Sequence, residues 1–233
     1  MYQIYLYKTN KFDEYTLFIT KELYDFSPFI SSTIYYFFPQ NLVNVINEKT
    51  LVEFNYSFVF KGSHYKNTNS IDFLINKLKI ETNLIKTYNN ICLIKTIETQ
   101  CQNPQKSFNN EYNELIESKN YSIIIPEKYT ITELFNIIYN SHNVIMSWGC
   151  CSYLNSIFVS ENSNILVLCH IGYKDECFEP HKLNNKHHEY PNGILNSDWF
   201  PKNCKNKYIL YDLPSELDET TKILLNVEID KMI

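Results

Sequence analysis

The sequence contains no arginine, and all 21 of its basic residues are lysines in a chain of 233 residues. It also has no basic run, and its 26 acidic residues give a net charge of −5. Proteins that bind nucleic acids need a basic surface to neutralise phosphates, so we expect no nucleic-acid partner. Without guanidinium groups, any phosphate site must use lysine, histidine, hydroxyl or backbone N–H groups.

Long hydrophobic runs are also missing. No apolar stretch approaches the roughly 20 residues that cross a bilayer, and the N-terminus lacks the pattern of a secretory signal. Seven cysteines, an odd number scattered along the chain, favour reduced thiols over a disulfide framework. The heavy use of Asn, Ile, Tyr and Lys is typical of an AT-rich genome, such as that of a large DNA virus or a protist. We therefore expect a cytoplasmic protein without a membrane span, in a host cytoplasm or virus particle if viral.

The residues that are present indicate a packed α/β protein of two lobes. Hydrophobic residues make up 44% of the chain and aromatic residues 15%, which suits a substantial core. The first lobe, residues 1–88, is predicted to be a reduced α/β lobe whose segment 28–45 stays unassigned. Its predicted elements are strands at residues 2–7, 15–20 and 51–60 and a helix at residues 70–79.

The second lobe, residues 89–233, has a regular alternation of strands and helices. The predicted strands are at residues 90–99, 121–125, 143–147, 164–169 and 207–213, and the main helices at 109–118, 130–139 and 215–230. Residues 121–125 are predicted as a central strand because they are rich in β-branched residues. Thr130 and Glu133 form a capping box, and Ser215 is the predicted cap of the last helix. Short connections between these elements predict a Rossmann-like parallel sheet.

The strand at 143–147 runs into a turn of small residues, which are Gly149, Cys150, Cys151 and Ser152. A parallel strand that enters a helix through a glycine turn directs backbone N–H groups to one point, which is a common anion site. Ser147 and Trp148 border this turn, and the Trp148 ring is a candidate for stacking on a nucleotide base. The same residues also suit simple close packing of helix and strand, and Trp148 suits the core. Both interpretations stay open at this point.

The succession of motifs from residue 106 to residue 172 resembles the family 61 (DUF563-like) glycosyltransferases. That family has an Arg-x-x-Asn-Glu region, a Pro-Glu after a strand, and a Gly-Ala-Gly turn followed by Asn and Phe. The matching positions in this chain are Asn110, Glu111, Glu127, Gly149, Asn155 and Phe158. Lys106 is the nearest candidate for the absent arginine, and small residues replace the family's Ala and Gly. The N-terminal lobe of the family has no counterpart in this sequence.

The resemblance implies a GT-B-like fold of two lobes that binds a nucleotide sugar in its C-terminal lobe. The donor-binding residues that it and the turn together suggest are Lys106, Asn110, Glu111, Glu127, Ser147, Trp148, Gly149, Cys150, Cys151, Ser152 and Asn155. The expected reaction is inverting transfer of a sugar to a glycan or protein acceptor. No cofactor and no metal are expected, because helix N–H groups can neutralise the diphosphate. The alternative is a non-catalytic, degenerate relative that binds ligands or builds a virus particle.

Histidines supply the remaining candidates. His64 follows a predicted strand in the first lobe and is the candidate general base, although a single loop histidine is more often only solvated. His170 begins a tract rich in His, Cys and Asn that extends to residue 204, and its ring can donate a hydrogen bond to donor phosphates. The tract has zinc-ligand residue types but no pair at chelating spacing, so we expect no zinc.

Overall fold

The computed structural model describes residues 17–38, 40–47, 68–81, 88–95, 107–148, 155–173 and 206–232. The chain divides into two compact units. The first comprises Met1–Asn83 and Glu127–Phe135, and the second comprises Leu84–Pro126 and Asn136–Ile233. No helix among the described residues is both long and apolar enough to cross a membrane.

The described residues of the first unit form a small parallel sheet and several helices. Strand β1 (Leu17–Thr20) pairs in register with β2 (Val43–Ile46). Its helices include α1 (Lys21–Asp25), α2 (Pro28–Phe37) and α3 (Thr68–Glu81). The predicted strand at 15–20 and the predicted helix at 70–79 are confirmed with small shifts. The unassigned segment 28–45 forms α2 and β2, and the predicted strands at 2–7 and 51–60 lie outside the described residues.

Helix α2 begins where the chemistry of Ser27 and Pro28 favours a helix start. The Ile30 N–H donates to Ser27 Oγ at 3.3 Å, and Pro28 occupies the first turn, where no N–H is needed. The helix carries so many aromatic and β-branched residues that its sequence does not resemble a typical amphipathic helix. This explains why the sequence alone left the segment unassigned.

The second unit is built on a sheet of five parallel strands. They are β3 (Tyr88–Leu93), β4 (Ser122–Ile123), β5 (Ser141–Ser147), β6 (Asn164–His170) and β7 (Asn206–Leu213). Their order in the sheet is β4-β3-β5-β6-β7. The helices are α4 (Asn110–Ser118), α6 (Glu219–Asp230) and, shared with the first unit, α5 (Ile131–Tyr139). This arrangement is α/β with a parallel sheet and is compatible with a Rossmann-like fold.

Both faces of this sheet are buried, as parallel sheets require. Residues of one face form a core with α4 and α6, which contribute Tyr112, Ile116, Leu225 and Ile229. The strand residues in this core are Cys92, Ile145, Leu166, Leu168 and Leu213, and Ile94 joins them just beyond β3. The opposite face is equally buried, through Ile91, Leu93, Val144, Met146, Ile165 and Val167. The near-continuous apolar sequences of β3, β5 and β6 follow from this two-sided burial.

The segment at 121–125 is not the central strand that its composition predicted. Strand β4 has only two residues and lies at the edge, because β3 pairs with β4 on one side and with β5 on the other. The Ile124 N–H donates to Cys92 O at 2.8 Å and extends the pairing by one residue before Pro126 ends it. β-Branched residues suit edge and central strands alike, so composition does not rank the strands within a sheet.

The start of the last helix also differs from the prediction. Ser215 is not its cap, because α6 begins at Glu219 and its cap is Asp218. The Asp218 carboxylate accepts the Thr221 N–H at 2.7 Å, and this bond lowers the pKa of Asp218. Glu216, which the predicted helix at 215–230 included, therefore lies before the helix. A carboxylate placed three residues before a free N–H caps as well as serine does, and Ser215 has other partners.

The predicted capping box of α5 is confirmed. The Thr130 N–H donates to Glu133 Oε2 at 2.9 Å, and the Glu133 N–H donates to Thr130 Oγ1 at 3.3 Å. The bond from the Thr130 backbone, together with one from its hydroxyl, lowers the pKa of Glu133. The two residues thus satisfy each other's N–H groups at the start of the helix.

A row of asparagines crosses the sheet near its amino ends. Asn90, Asn143 and Asn164 are in register on β3, β5 and β6. Asn143 Nδ2 donates to Asn90 Oδ1 at 2.8 Å, and Asn164 Nδ2 donates to Asn143 Oδ1 at 2.7 Å. Asn164 Nδ2 also lies 3.2 Å from Met232 O, just past α6. We call these three residues the asparagine row, and it closes the amino edge with polar groups that bond to one another.

Candidate functional site

The strand order places the candidate site at the carboxyl ends of β3 and β5. The chain passes from β3 to β4, which pairs with one edge of β3, and then to β5, which pairs with the other edge of β3. Counted from β3, this is the order 2-1-3-4-5, which is common in doubly wound sheets. In sheets of this order the connections leave the two strands in opposite directions and open a crevice beyond their carboxyl ends, where ligands bind.

Lys95 and Ser147 meet where the strand order reverses between β3 and β5, and we call this place the switch point. The Lys95 N–H donates to Ser147 Oγ at 3.1 Å, so a buried hydroxyl joins the ends of two neighbouring strands. Lys95 was not singled out by the sequence, because the predicted strand at 90–99 placed it in mid-strand. Strand β3 ends at Leu93, so Lys95 lies just beyond the end and brings a cation to the switch point.

Trp148 continues the pairing of β5 with β6 by one residue. Its N–H donates to Leu168 O at 2.8 Å, and its side chain is only 5% exposed. The indole ring is therefore mostly enclosed by protein in this structure. The turn residues Gly149, Cys150, Cys151 and Ser152 follow directly in sequence and lie outside the described residues.

His170 ends β6 and is held on three sides. The Gly172 N–H donates to His170 Nδ1 at 2.9 Å, and His170 Nε2 lies 2.8 Å from Ser215 Oγ. The ring also packs edge-on against Phe108, with ring centroids 5.6 Å apart. His170 is 3% exposed, so its nitrogens are directed to protein groups and not to open solvent.

Ser215 also joins the end of β7 to the start of α4. The Asn109 N–H donates to Ser215 O at 2.8 Å, and the Tyr112 hydroxyl donates to Pro214 O at 2.8 Å. Burial raises the pKa of Tyr112, and the charge of Asp218 adds to the effect. These bonds hold the N-terminus of α4 at the carboxyl edge of the sheet.

The resemblance pointed to Asn110 and Glu111, and both lie exposed in the first turn of α4. Glu111 Oε2 accepts a bond from Asn109 Nδ2 at 3.1 Å. Asn109 is the N-cap of α4, but its side chain makes no capping bond and its Oδ1 is buried without a partner among the described residues. The structure thus brings Asn110, Glu111 and His170 to the same corner, through Ser215.

The other predicted site residues are placed elsewhere or lie outside the described residues. Glu127 is exposed in the turn Pro126–Lys128 and belongs to the first unit. Asn155 is 4% exposed and precedes the turn Ser156–Phe158. His64 and Lys106 lie outside the described residues, as does most of the His-rich tract.

Thiols and metal ligands add no further cluster in the described ranges. Cys92 and Cys169 are buried thiols. No group of three or more His, Cys, Asp or Glu residues in this part of the chain could hold a metal ion.

No protein-family model, curated protein or solved structure matches this chain. The topology of the sheet, the residues at its carboxyl edge and the motif resemblance are therefore the features that point to a function.

Proposed function

We propose that this protein is a glycosyltransferase that binds a nucleotide sugar at the carboxyl edge of the five-stranded sheet and transfers the sugar to a glycan or protein acceptor. The observation that carries the proposal is the reversal of strand order between β3 and β5. Ligands of doubly wound sheets bind at this point, and the turn that resembles the family 61 glycosyltransferases follows β5 directly.

The diphosphate of the donor would lie beyond the ends of β3 and β5. Lys95 supplies one positive charge there, and the N–H groups of the segment Gly149 to Ser152 supply further donors in this proposal. These groups would replace the arginine that the chain lacks and would stabilise the nucleoside diphosphate as it leaves. A metal ion is not required for this chemistry.

The proposed reaction is a direct displacement with inversion. The acceptor oxygen bonds to the anomeric carbon as the bond from that carbon to the phosphate oxygen breaks. A general base, for which His64 is the candidate, takes the proton of the acceptor hydroxyl. Following the resemblance, we assign donor binding to the second unit and the acceptor side to the first.

Binding without transfer is the alternative that a specific observation favours. Ser147, Trp148, Asn155 and His170 are all at most 5% exposed. Side chains so enclosed serve the scaffold at least as well as they serve a ligand. A relative that kept the scaffold but not the reaction would have the same buried residues.

The test is release of nucleoside diphosphate from individual uridine and guanosine diphosphate sugars, with and without glycan acceptors. A transferase that holds its donor also hydrolyses it slowly, so we expect some release even without the right acceptor. The variant His64→Ala should lower the rate of release and leave donor binding unchanged. The variant Gly149→Val should abolish binding, because a branched side chain obstructs the approach of the phosphate.

Three outcomes separate the candidates. Release that depends on His64 supports the transferase. Tight binding of a nucleotide sugar without release under any acceptor contradicts transfer and favours the binding protein. Absence of both binding and release contradicts the proposed function as a whole.

A further inference from the structure

The hydrogen bonds of His170 fix its protonation state. The Gly172 backbone N–H can only donate, so His170 Nδ1 must accept this bond with its lone pair. A protonated Nδ1 would point its hydrogen at the hydrogen of Gly172. His170 is therefore neutral, with its single ring proton on Nε2.

The direction of the bond to Ser215 follows from this tautomer. Nε2–H of His170 donates to Ser215 Oγ across 2.8 Å, and Ser215 Oγ accepts. A histidine that activates a serine as a nucleophile must do the reverse and accept the serine proton. The pair is therefore not a nucleophile with its base, and His170 instead holds a hydroxyl in place.

The Ser215 hydroxyl keeps its own proton for another partner. Its oxygen accepts from His170, and within the described residues its O–H group donates to no protein acceptor. The side chain is partly exposed at the carboxyl edge, where Ser215 follows β7. A buried histidine that fixes the oxygen of a partly exposed serine leaves one donor that can reach a ligand.

The charges around Ser215 decide what kind of ligand group fits. Four exposed carboxylates lie between residues 212 and 219, and no lysine lies in that stretch. They belong to Asp212, Glu216, Asp218 and Glu219, of which Glu219 lies 3.6 Å from Lys222. Glu111 adds another carboxylate at the start of α4. Such a corner repels phosphate, whereas neutral hydroxyl groups can both accept from Ser215 and donate to carboxylates.

The distance to the switch point suits the same assignment. Ser215 lies beyond β7, and β7 is two strand intervals from β5. Neighbouring strands are separated by about 4.8 Å, so the two intervals span roughly 10 Å. A ligand whose phosphates lie at the switch point would therefore bring its next chemical group toward Ser215.

We propose that Ser215, oriented by His170, is a specificity-determining residue that binds a hydroxyl group of the donor sugar, while the diphosphate lies at the switch point between β3 and β5. The inference rests on the proposed function. It specifies that the sugar end of the nucleotide sugar lies beside the carboxylates around Ser215. Ser215 contacts the sugar, and His170 is a positioning residue that acts through it.

The experiment measures the affinity of the full chain for uridine and guanosine diphosphates and for their common sugar conjugates, by calorimetry. The variant Ser215→Ala should weaken binding of the nucleotide sugar about three- to tenfold, which is the usual value of one neutral hydrogen bond. It should leave the affinity for the nucleoside diphosphate unchanged. Ser215→Thr, which keeps the hydroxyl, should recover most of the loss.

Two further variants separate positioning from general damage. Ser122→Ala makes the same chemical change at an exposed serine on β4, and it should change neither affinity. His170→Leu should reduce sugar affinity as much as Ser215→Ala does, and the double variant should lose no more than either single one. If His170→Leu fails to fold, the comparison of Ser215→Ala with Ser215→Thr still shows whether the Ser215 hydroxyl binds the sugar.

The outcomes distinguish this inference from the function on which it rests. If the diphosphate binds but Ser215→Ala weakens neither ligand, or weakens both equally, the assignment of Ser215 to the sugar is overturned and the proposed function stands. If neither nucleoside diphosphates nor nucleotide sugars bind to the unmodified protein, both are overturned.

Discussion

The two edges of the five-stranded sheet use polar side chains in opposite ways. At the amino edge, Asn90, Asn143 and Asn164 bond to one another in a row across three strands. At the carboxyl edge, His170 donates to Ser215, whose own hydroxyl proton has no protein acceptor among the described residues. The polar side chains of the amino edge therefore bond to one another, while at the carboxyl edge the Ser215 hydroxyl can still donate a hydrogen bond to a ligand.

The difference follows from geometry and from the topology of the sheet. Strands in register bring identical amides about 4.8 Å apart, a spacing at which each amide reaches the next. At the carboxyl edge, loops and helix starts arrive from different directions, so the polar groups there are not repeated. Natural ligands of such sheets bind at the carboxyl edge for the same reason.

The largest effect is expected at the amino edge. Asn143→Ala removes the residue that both donates to Asn90 and accepts from Asn164, so two hydrogen bonds between half-buried side chains are lost. We expect a loss of about 3 kcal/mol in the free energy of unfolding, measured by urea denaturation. Asn162→Ala, at an exposed turn outside the row, is the control and should cost less than about 0.5 kcal/mol. Equal small losses from both variants would show that the row contributes nothing to stability.

A pair of tyrosines provides a smaller and sharper test. Tyr112 donates to Pro214 O at the carboxyl edge, whereas the buried hydroxyl of Tyr121, just before β4, has no partner in the described part of the chain. We expect Tyr112→Phe to cost about 1 kcal/mol of unfolding free energy and Tyr121→Phe to be neutral or stabilising. Tyr121 therefore differs from the asparagine row, whose side chains bond to one another at the amino edge. A comparable loss from Tyr121→Phe would mean that its hydroxyl is paired after all.

The smallest expected effects concern the two helix starts that meet at the carboxyl edge. Asp218 caps α6 through Thr221, whereas the Asn109 side chain makes no capping bond to α4. We expect Asp218→Ala to lower the melting temperature and Asn109→Ala to leave it nearly unchanged, as measured by calorimetry. If Asn109→Ala lowered the melting temperature more than Asp218→Ala does, Asn109 and not Asp218 would be the more important helix cap.

The capping bond of Asp218 also predicts a pH dependence. Because the bond to the Thr221 N–H lowers the pKa of Asp218, the carboxylate stabilises the folded chain at pH values above the ordinary aspartate pKa of about 4. That contribution is lost as the pH falls below this value. The difference in melting temperature between the original chain and Asp218→Ala should therefore shrink in acid. A difference that stays constant from pH 7 to pH 3 would contradict the capping role.

Local patterns predicted the elements of the fold well. The Thr130–Glu133 capping box and the apolar strands of the sheet follow from residues within a few positions of one another, which is the range over which helix caps and burial patterns act. The order of the strands did not follow, because Tyr121 to Ile125 has a composition that suits either the centre or the edge of a sheet.

The candidate site was less predictable for the same physical reason. The contact of His170 with Ser215 joins residues 45 positions apart, and that of Lys95 with Ser147 joins residues 52 positions apart. Ser215 also has the sequence context of a helix cap, so its local pattern indicated a different role. Only the register of the strands brings these groups to one edge.

The proposed function requires that the nucleotide sugar binds at the carboxyl edge of the sheet and not at the amino edge. Hydrogen–deuterium exchange of the full chain, with and without a saturating nucleoside diphosphate sugar, tests it directly. Binding at the carboxyl edge should slow exchange in peptides that cover residues 94–107 and 148–155, and should leave peptides that cover the asparagine row unchanged. Slower exchange confined to the asparagine row, or no change anywhere once binding is saturated, would contradict it.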